Sequence, residues 1–81
     1  MARQDLREKA HHLDVTVWVG KSGIDPVADE LRTQLDDNEL VKVKFLRSAR
    51  GGTDVETLAV DLADRAEAEV FETRGNTAVM Q

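Results

Sequence analysis

The sequence contains no cysteine and no tyrosine, and among its 81 residues it has only one proline and one tryptophan. The absence of cysteine excludes disulfides, thiolate metal sites and a cysteine nucleophile. No apolar run approaches the roughly 20 residues that a membrane span requires. The mixed charges of residues 1–5 do not resemble a signal peptide. We therefore expect one small domain over residues 1–81, monomeric and working in the cytoplasm.

Acidic residues outnumber basic ones, with sixteen Asp and Glu against eleven Lys and Arg and a net charge of −5. Taken alone, this balance argues against a protein that binds nucleic acid. However, Asp and Val are abundant whereas Lys and Ile are scarce, as in proteins from a salt-filled cytoplasm. On that halophilic interpretation the acidity serves solvation and says little about partners. The alternative is an ordinary acidic domain.

Three segments have the apolar spacing of amphipathic helices. The first covers residues 2–13. The second is expected to begin at Pro26, with Asp25 as its N-cap. The third begins after Thr53, which forms a capping box with Glu56 and precedes a stripe of Val, Leu and Ala. All three helices can therefore cover one small sheet.

Alternating apolar residues predict strands over residues 15–19 and 40–46. Two further strands, 69–73 and 77–80, flank a tight turn at residues 74–76 and should form a hairpin. The resulting order is α-β-α-β-α-β-β, in which strand–helix–strand units give parallel pairing. We predict an α/β fold, a two-layer sandwich of helices on a mixed four-stranded sheet.

A Gly-Lys-Ser-Gly loop, formed by Gly20, Lys21, Ser22 and Gly23, separates the first strand from the second helix. Its glycines allow close approach of backbone to a ligand, and exposed amides near a helix start favour anions. Phosphate is the natural ligand, with Lys21 as a second contact. The alternative is a plain strand-to-helix turn. The spacing is not that of a Walker loop, and the chain is too short for a dinucleotide fold.

The chain segregates its charges, because residues 40–52 contain four cations and no acid, whereas residues 53–69 contain six acids and one arginine. A basic strand followed by a basic, flexible loop over residues 47–52 favours contacts to RNA. Alternatively, the lysines protect a strand edge from aggregation. The four cations are Lys42, Lys44, Arg47 and Arg50.

Strand alternation places Val15, Val17 and Val19 on one face and Trp18 on the other, together with Thr16, Lys42 and Lys44. Two environments for Trp18 remain open. Burial against the first helix or a terminus is slightly favoured. An exposed Trp18 among cations would instead offer a platform on which unpaired bases stack.

The sequence carries no constellation for catalysis or metal binding. His11 and His12 are adjacent and diverge on a helix, so they do not form a metal-binding pair, and no third ligand is evident. Carboxylates abound, but nothing pairs a nucleophile with a base and an orienting group. We therefore predict a protein that is not an enzyme and that has no cofactor.

Four stretches together resemble the CRM domain, the chloroplast RNA splicing and ribosome maturation domain whose stand-alone bacterial form is YhbY. They are residues 6–13 (LREKAHHL), 17–24 (VWVGKSGI), 39–44 (ELVKVK) and 75–80 (GNTAVM). The resemblance covers essentially the whole chain. It implies an α-β-α-β-α-β-β fold similar to the C-terminal domain of bacterial translation initiation factor 3.

The resemblance also implies RNA binding, with ribosomal RNA or precursors of the large ribosomal subunit as the partner. The family's loop falls on Gly20–Gly23, and its basic strand falls on Lys42 and Lys44. We expect arginines to hold phosphates by bidentate geometry, and the predicted RNA site is completed by Arg47, Arg50, Arg74 and Trp18. The alternative is an acidic protein-interaction module that docks on ribosomal or other basic proteins.

Overall fold

The computed structural model describes residues 3–81, and its elements follow the predicted α-β-α-β-α-β-β order. The start of the first predicted helix at residue 2 lies outside the described residues. None of the helices within residues 3–81 is long and apolar enough to cross a membrane. The elements are α1 (Arg3–His12), β1 (Val15–Val19), α2 (Asp25–Asp37), β2 (Val41–Phe45), α3 (Val55–Ala66), β3 (Val70–Arg74) and β4 (Thr77–Met80).

The four strands form one mixed sheet with the spatial order β1-β2-β4-β3. β1 and β2 are parallel, and α2 provides the crossover between them. β4, the last strand in the chain, lies between β2 and β3 and is antiparallel to both. The predicted α/β class, the mixed sheet and the terminal hairpin are confirmed.

The main core lies between α2, α3 and one face of the sheet. Burying each large apolar side chain contributes roughly 1.5–3 kcal/mol, and these side chains interdigitate in one cluster. The largest fully buried members are Phe45, Leu31, Leu62, Met80, Val17, Val19, Val41 and Val43.

α1 lies on the opposite face of the sheet, so helices cover both faces and the two layers of the predicted sandwich are replaced by three. Ala78 and Met80 belong to the main core, whereas Val79 between them packs with Ala10 of α1 and with Leu40. Successive strand residues point to opposite faces, so α1 covers the face that α2 and α3 leave free. The packing of α1 centres on Val79, while Trp18 and Arg74 on the same face are exposed.

The starts of two helices differ by one residue from the sequence prediction. α2 begins at Asp25, which is therefore not the N-cap; Ile24 holds that position without a side-chain bond, and Asp25 pairs instead with Arg65 of α3. In α3 the N-cap is Asp54 rather than Thr53, and its carboxylate accepts a hydrogen bond from the Thr57 backbone N–H at 2.7 Å. Two adjacent residues can each cap this helix, and the sequence alone does not choose between them.

Candidate nucleic-acid interface

Three loops meet at one edge of the sheet. Parallel β1 and β2 both end there, and the Leu46 N–H donates to the Val19 carbonyl at 2.8 Å. The hairpin turn between β3 and β4 reaches the same edge, because the Phe45 N–H donates to the Asn76 carbonyl at 2.8 Å. We call this region the loop edge, comprising residues 20–23, 46–53 and 75–76.

The Gly20–Gly23 loop is a closed turn. The Gly23 N–H donates to the Gly20 carbonyl at 3.0 Å, and Gly23 has a φ of +82°, a conformation that favours glycine. Lys21 and Ser22 are exposed at its tip. A Cβ added at Gly20 would lie 3.7 Å from Leu46 Cδ1, so the turn rests against the second loop. The structure thus presents Lys21 beside the basic segment that follows β2.

The segment after β2, for which the sequence predicts a basic, flexible loop over residues 47–52, contains short turns. Arg47–Ala49 forms a 3₁₀ turn, and the N–H groups of Ala49, Arg50 and Thr53 donate to the carbonyls three residues earlier. Such bonds are typical of short 3₁₀ turns. Arg47 is exposed, while Arg50 is half-buried.

Arg50 lines a cavity at the start of α3 with Asp54, Glu56 and Thr73. Among the described residues its buried Nε has no hydrogen-bond partner. The bonds from Thr57, first its backbone N–H and then its hydroxyl, hold the pKa of Asp54 below the ordinary value of 3.8. Asp54 is therefore ionised at neutral pH, and the cavity combines a cation with acids.

Strand register aligns four side chains in one row across the whole sheet. Trp18 pairs with Lys44, Lys44 with Thr77, and Thr77 with Arg74. Paired residues point to the same face, and each strand lies about 4.8 Å from the next, so the row is roughly 14 Å long. It lies on the face opposite α2 and α3. We call Trp18, Lys44, Thr77 and Arg74 the cross-sheet row.

The favoured burial of Trp18 is wrong, because its side chain is 53% exposed. The α1 cluster centres on Val79, one row away from Trp18, and on Leu40, one row further. Arg74 was expected in the turn but is the last residue of β3, where it too is exposed. Lys42 pairs with Val79, so it lies on the same face as the cross-sheet row but next to α1.

The predicted face of three valines in β1 holds only for Val17 and Val19. Between Val15 and Val17 the register with β2 shifts, and Val15 pairs with Lys42. The Thr16 hydroxyl donates to Gln34 Oε1 of α2, so Thr16 does not share the surroundings of Trp18. This irregularity leaves Trp18 as the exposed β1 side chain of the cross-sheet row.

Nine of the eleven lysines and arginines fall into two sets. Lys9 pairs with Glu39 at 3.0 Å and Arg32 with Glu67 at 3.1 Å, and Arg65 pairs with Asp25. Within residues 5–81, ion pairs to carboxylates are absent for all six predicted site cations, which we call the interface cations. They are Lys21, Lys42, Lys44, Arg47, Arg50 and Arg74.

The structure brings the predicted site residues together, with the glycine turn, Arg47 and Arg50 at the loop edge and the remainder on the adjoining sheet face. The sequence prediction missed Thr77, although a two-residue hairpin turn would have placed it opposite Arg74. It also missed Leu46, which is exposed at the loop edge. In the part of the chain that the structure describes, no three His, Asp or Glu side chains are grouped to hold a metal ion.

Comparison with known proteins gives concordant matches. The CRS1/YhbY (CRM) domain model matches residues 1–80. The Probable RNA-binding protein MJ0652 of Methanocaldococcus jannaschii is 40% identical over 75 residues, which are 93% of this chain and 56% of that protein. The Probable RNA-binding protein YqeI of Bacillus subtilis is 34% identical over 76 residues, 93% of this chain and 77% of that protein. The chain thus spans about half the length of the first relative.

The fold has a counterpart among solved structures. The solution structure of the hypothetical protein SAV1595 from Staphylococcus aureus superposes with a TM-score of 0.75 at 28% identity, covering 95% of this chain and 79% of that one. Sequence and fold therefore agree over nearly the whole chain. The chain belongs to the CRS1/YhbY (CRM) domain family of non-catalytic RNA-binding proteins.

Proposed function

We propose that this protein binds RNA through the loop edge and the adjoining sheet face. The observation that carries the proposal is the set of six interface cations, gathered on one side of a chain whose net charge is −5 and making no ion pair to a carboxylate of residues 5–81. Unpaired cations attract the phosphate backbone and release its counterions. The family membership and the names of both relatives, each called a Probable RNA-binding protein, support the same function.

The Gly20–Gly23 turn is the proposed phosphate contact. Gly-x-x-Gly turns can clamp a nucleic-acid backbone because no side chains separate the ligand from the main chain. The exposed Lys21 stands at the tip, and the turn rests against the segment that carries Arg47. A phosphate at this turn would therefore lie near two cations from different loops.

We further propose that the RNA is ribosomal RNA or a precursor of the large ribosomal subunit. This step relies on the resemblance of the loop, the basic strand and the Gly-Asn-Thr turn to stand-alone YhbY. Since these motifs cover the interface itself, a related interface favours a related partner.

A second candidate is a protein-interaction module, favoured by the exposed carboxylates of α2 and α3. Acidic side chains such as Asp29, Glu30, Asp61 and Asp64 are solvent-exposed on these helices, away from the interface cations. They would suit a basic ribosomal protein by charge complementarity. The two surfaces are separate, so variants can test them separately.

The test compares two double variants that each remove two positive charges. Lys44→Ala with Arg47→Ala removes interface cations, and Lys9→Ala with Arg65→Ala removes cations that pair with carboxylates. RNA affinity, measured by fluorescence anisotropy on a large-subunit ribosomal RNA fragment at several salt concentrations, should fall roughly tenfold or more for the first variant at low salt. Its slope of log K against log salt should shrink by roughly 1 for each lost phosphate contact.

The control variant should keep the wild-type slope, because Lys9 and Arg65 are not among the proposed phosphate contacts. It should also stay folded, because exposed ion pairs contribute little to stability. Equal losses in both variants would show that only overall charge matters. If the wild-type protein binds a basic ribosomal protein but no RNA, the second candidate replaces the first.

A further inference from the structure

Trp18 is an unusual surface residue in this protein. It is the only tryptophan and is 53% exposed, in a chain with few aromatic residues. Among the residues whose burial is described, 5–81, the other well-exposed large apolar ones are Leu46, at the loop edge, and Val60, on α3. A tryptophan buries more apolar area than any other side chain when it is covered. Its exposure therefore points to a ligand that covers the ring.

The neighbours of Trp18 restrict the charge of that ligand. In the cross-sheet row Lys44 is directly adjacent to Trp18, and Arg74 lies at the far end. Thr77 between them donates its hydroxyl to the Arg74 carbonyl at 2.8 Å and brings no charge. The row thus contains an aromatic ring and two cations but no acid, so it complements a ligand that is planar at one end and anionic along its length.

Single-stranded RNA has this chemistry. Every base offers a flat face for stacking, and the phosphates follow at regular spacing. In an A-form duplex the bases already stack on one another and proteins contact mainly phosphates and 2′-hydroxyls, so Trp18 would gain little. The cross-sheet row is also narrow, because α1 covers Val79 in the next row. A narrow row suits a single strand better than a duplex.

We propose, on the basis of the RNA binding proposed above, that the cross-sheet row binds a single-stranded segment of the RNA. One base stacks on Trp18, and the phosphates that follow lie over Lys44 and Arg74. The Gly20–Gly23 turn then contacts the backbone next to this segment, at the end of the same strand. The protein would accordingly select unpaired regions of its RNA and tolerate many base sequences there.

Intrinsic fluorescence tests the proposal directly, because Trp18 is the single tryptophan and tyrosine is absent. Titration with a single-stranded RNA of about ten nucleotides should quench the emission, whereas the same RNA annealed to its complement should leave it nearly unchanged. Anisotropy of labelled RNA measures affinity in parallel. Trp18→Ala should lower the single-strand affinity by about 5- to 150-fold, and Trp18→Phe should keep most of it.

Val60→Ala is the matched control, since Val60 is an apolar residue of similar exposure, 54%, on α3. It should change neither quenching nor affinity. Because stacking releases no counterions, Trp18→Ala should also keep the wild-type salt slope, unlike Lys44→Ala.

Three results would overturn the proposal. RNA could bind by anisotropy without quenching Trp18 or requiring it, which would leave the proposed function intact. Duplex RNA could bind and quench as well as the single strand. Finally, an acidic peptide could quench Trp18 while neither RNA form binds, which would overturn the RNA function as well.

Discussion

The two sets of cations show how the same residue types take different roles on different sides of one small domain. Arg32 and Arg65 connect α2 to α3, since Arg32 also donates to the backbone carbonyls of Arg65 and Ala66. The cations of the loop edge and the open sheet face make no such ion pairs with the described side chains, those of residues 5–81. The helical cations therefore serve the fold, and the interface cations are available to a ligand. Position relative to the acidic helices, more than residue type, separates the two roles.

The largest effect is expected when an acid is placed among the interface cations. Gly20→Asp would give Lys21 and Arg47 a carboxylate partner, as the helical cations already have, and would repel phosphate. We expect RNA affinity to fall roughly tenfold to a hundredfold. The fold should persist, because the nearest atoms to a Cβ at Gly20 are at ordinary contact distances of 3.7 and 3.8 Å. Anisotropy and thermal unfolding measure the two effects.

Gly20→Ala is the control and should keep most of the affinity. Gly23→Asp is not equivalent, because the φ of +82° at Gly23 disfavours a side chain by roughly 1 kcal/mol or more. That variant should lose stability as well as RNA binding. If Gly20→Asp bound RNA like the wild type, the turn would not be a phosphate contact.

A smaller effect is expected at Asp54, a carboxylate next to the loop edge that caps α3 rather than pairing with a cation. Asp54→Ala should lower the melting temperature by a few degrees at pH 7. Because the folded pKa lies below 3.8, the stabilisation is present above pH 3.8 and is lost as pH falls through the folded pKa. The difference in melting temperature between the wild type and Asp54→Ala should therefore become smaller in acid.

RNA affinity of Asp54→Ala should stay the same or rise, since an acid beside Arg50 has been removed. Thermal melts from pH 7 to pH 2.5 give the stability difference. A constant difference across that range would show that the carboxylate charge does not contribute to the cap.

The smallest expected effect is a salt dependence of thermal stability, which arises from the exposed acids of α2 and α3. Their mutual repulsion is screened by salt, so the melting temperature should rise by about 2 °C or more between ~0.1 M and ~1 M salt. Calorimetry in sodium chloride measures the rise. A flat curve would remove the proposal that this acidity is an adaptation to a salt-filled cytoplasm.

The fold could be predicted well because its signals are local. Alternation in residues 41–45 and the apolar stripe of α3 identify their elements without knowledge of the rest of the chain. Caps were less certain, because Thr53 and Asp54 are adjacent and both suit an N-cap. The 3₁₀ turn after β2 is not predicted, because its bonds depend on backbone turns that many sequences permit.

The site was predictable as a list of residues but not as an arrangement. The glycine turn and the lysines of β2 follow from motif and alternation. The alignment of Trp18 with Arg74 requires the register of four strands, which are far apart in the chain. The exposure of Trp18 depends in turn on where α1 stops over the sheet, and no short stretch of sequence contains that information.

The central place of β4 has a consequence for the order of assembly during synthesis. β4 is made after the other three strands of this sheet, yet β2 and β3 are joined through it. Its residues Ala78, Val79 and Met80 are all buried. Until those residues emerge from the ribosome, the sheet consists of the β1–β2 pair and β3 has no partner strand. Such long-range pairing is slow and comes late. The cross-sheet row is therefore incomplete until β4 inserts, because Lys44 and Arg74 are aligned through Thr77 of that strand.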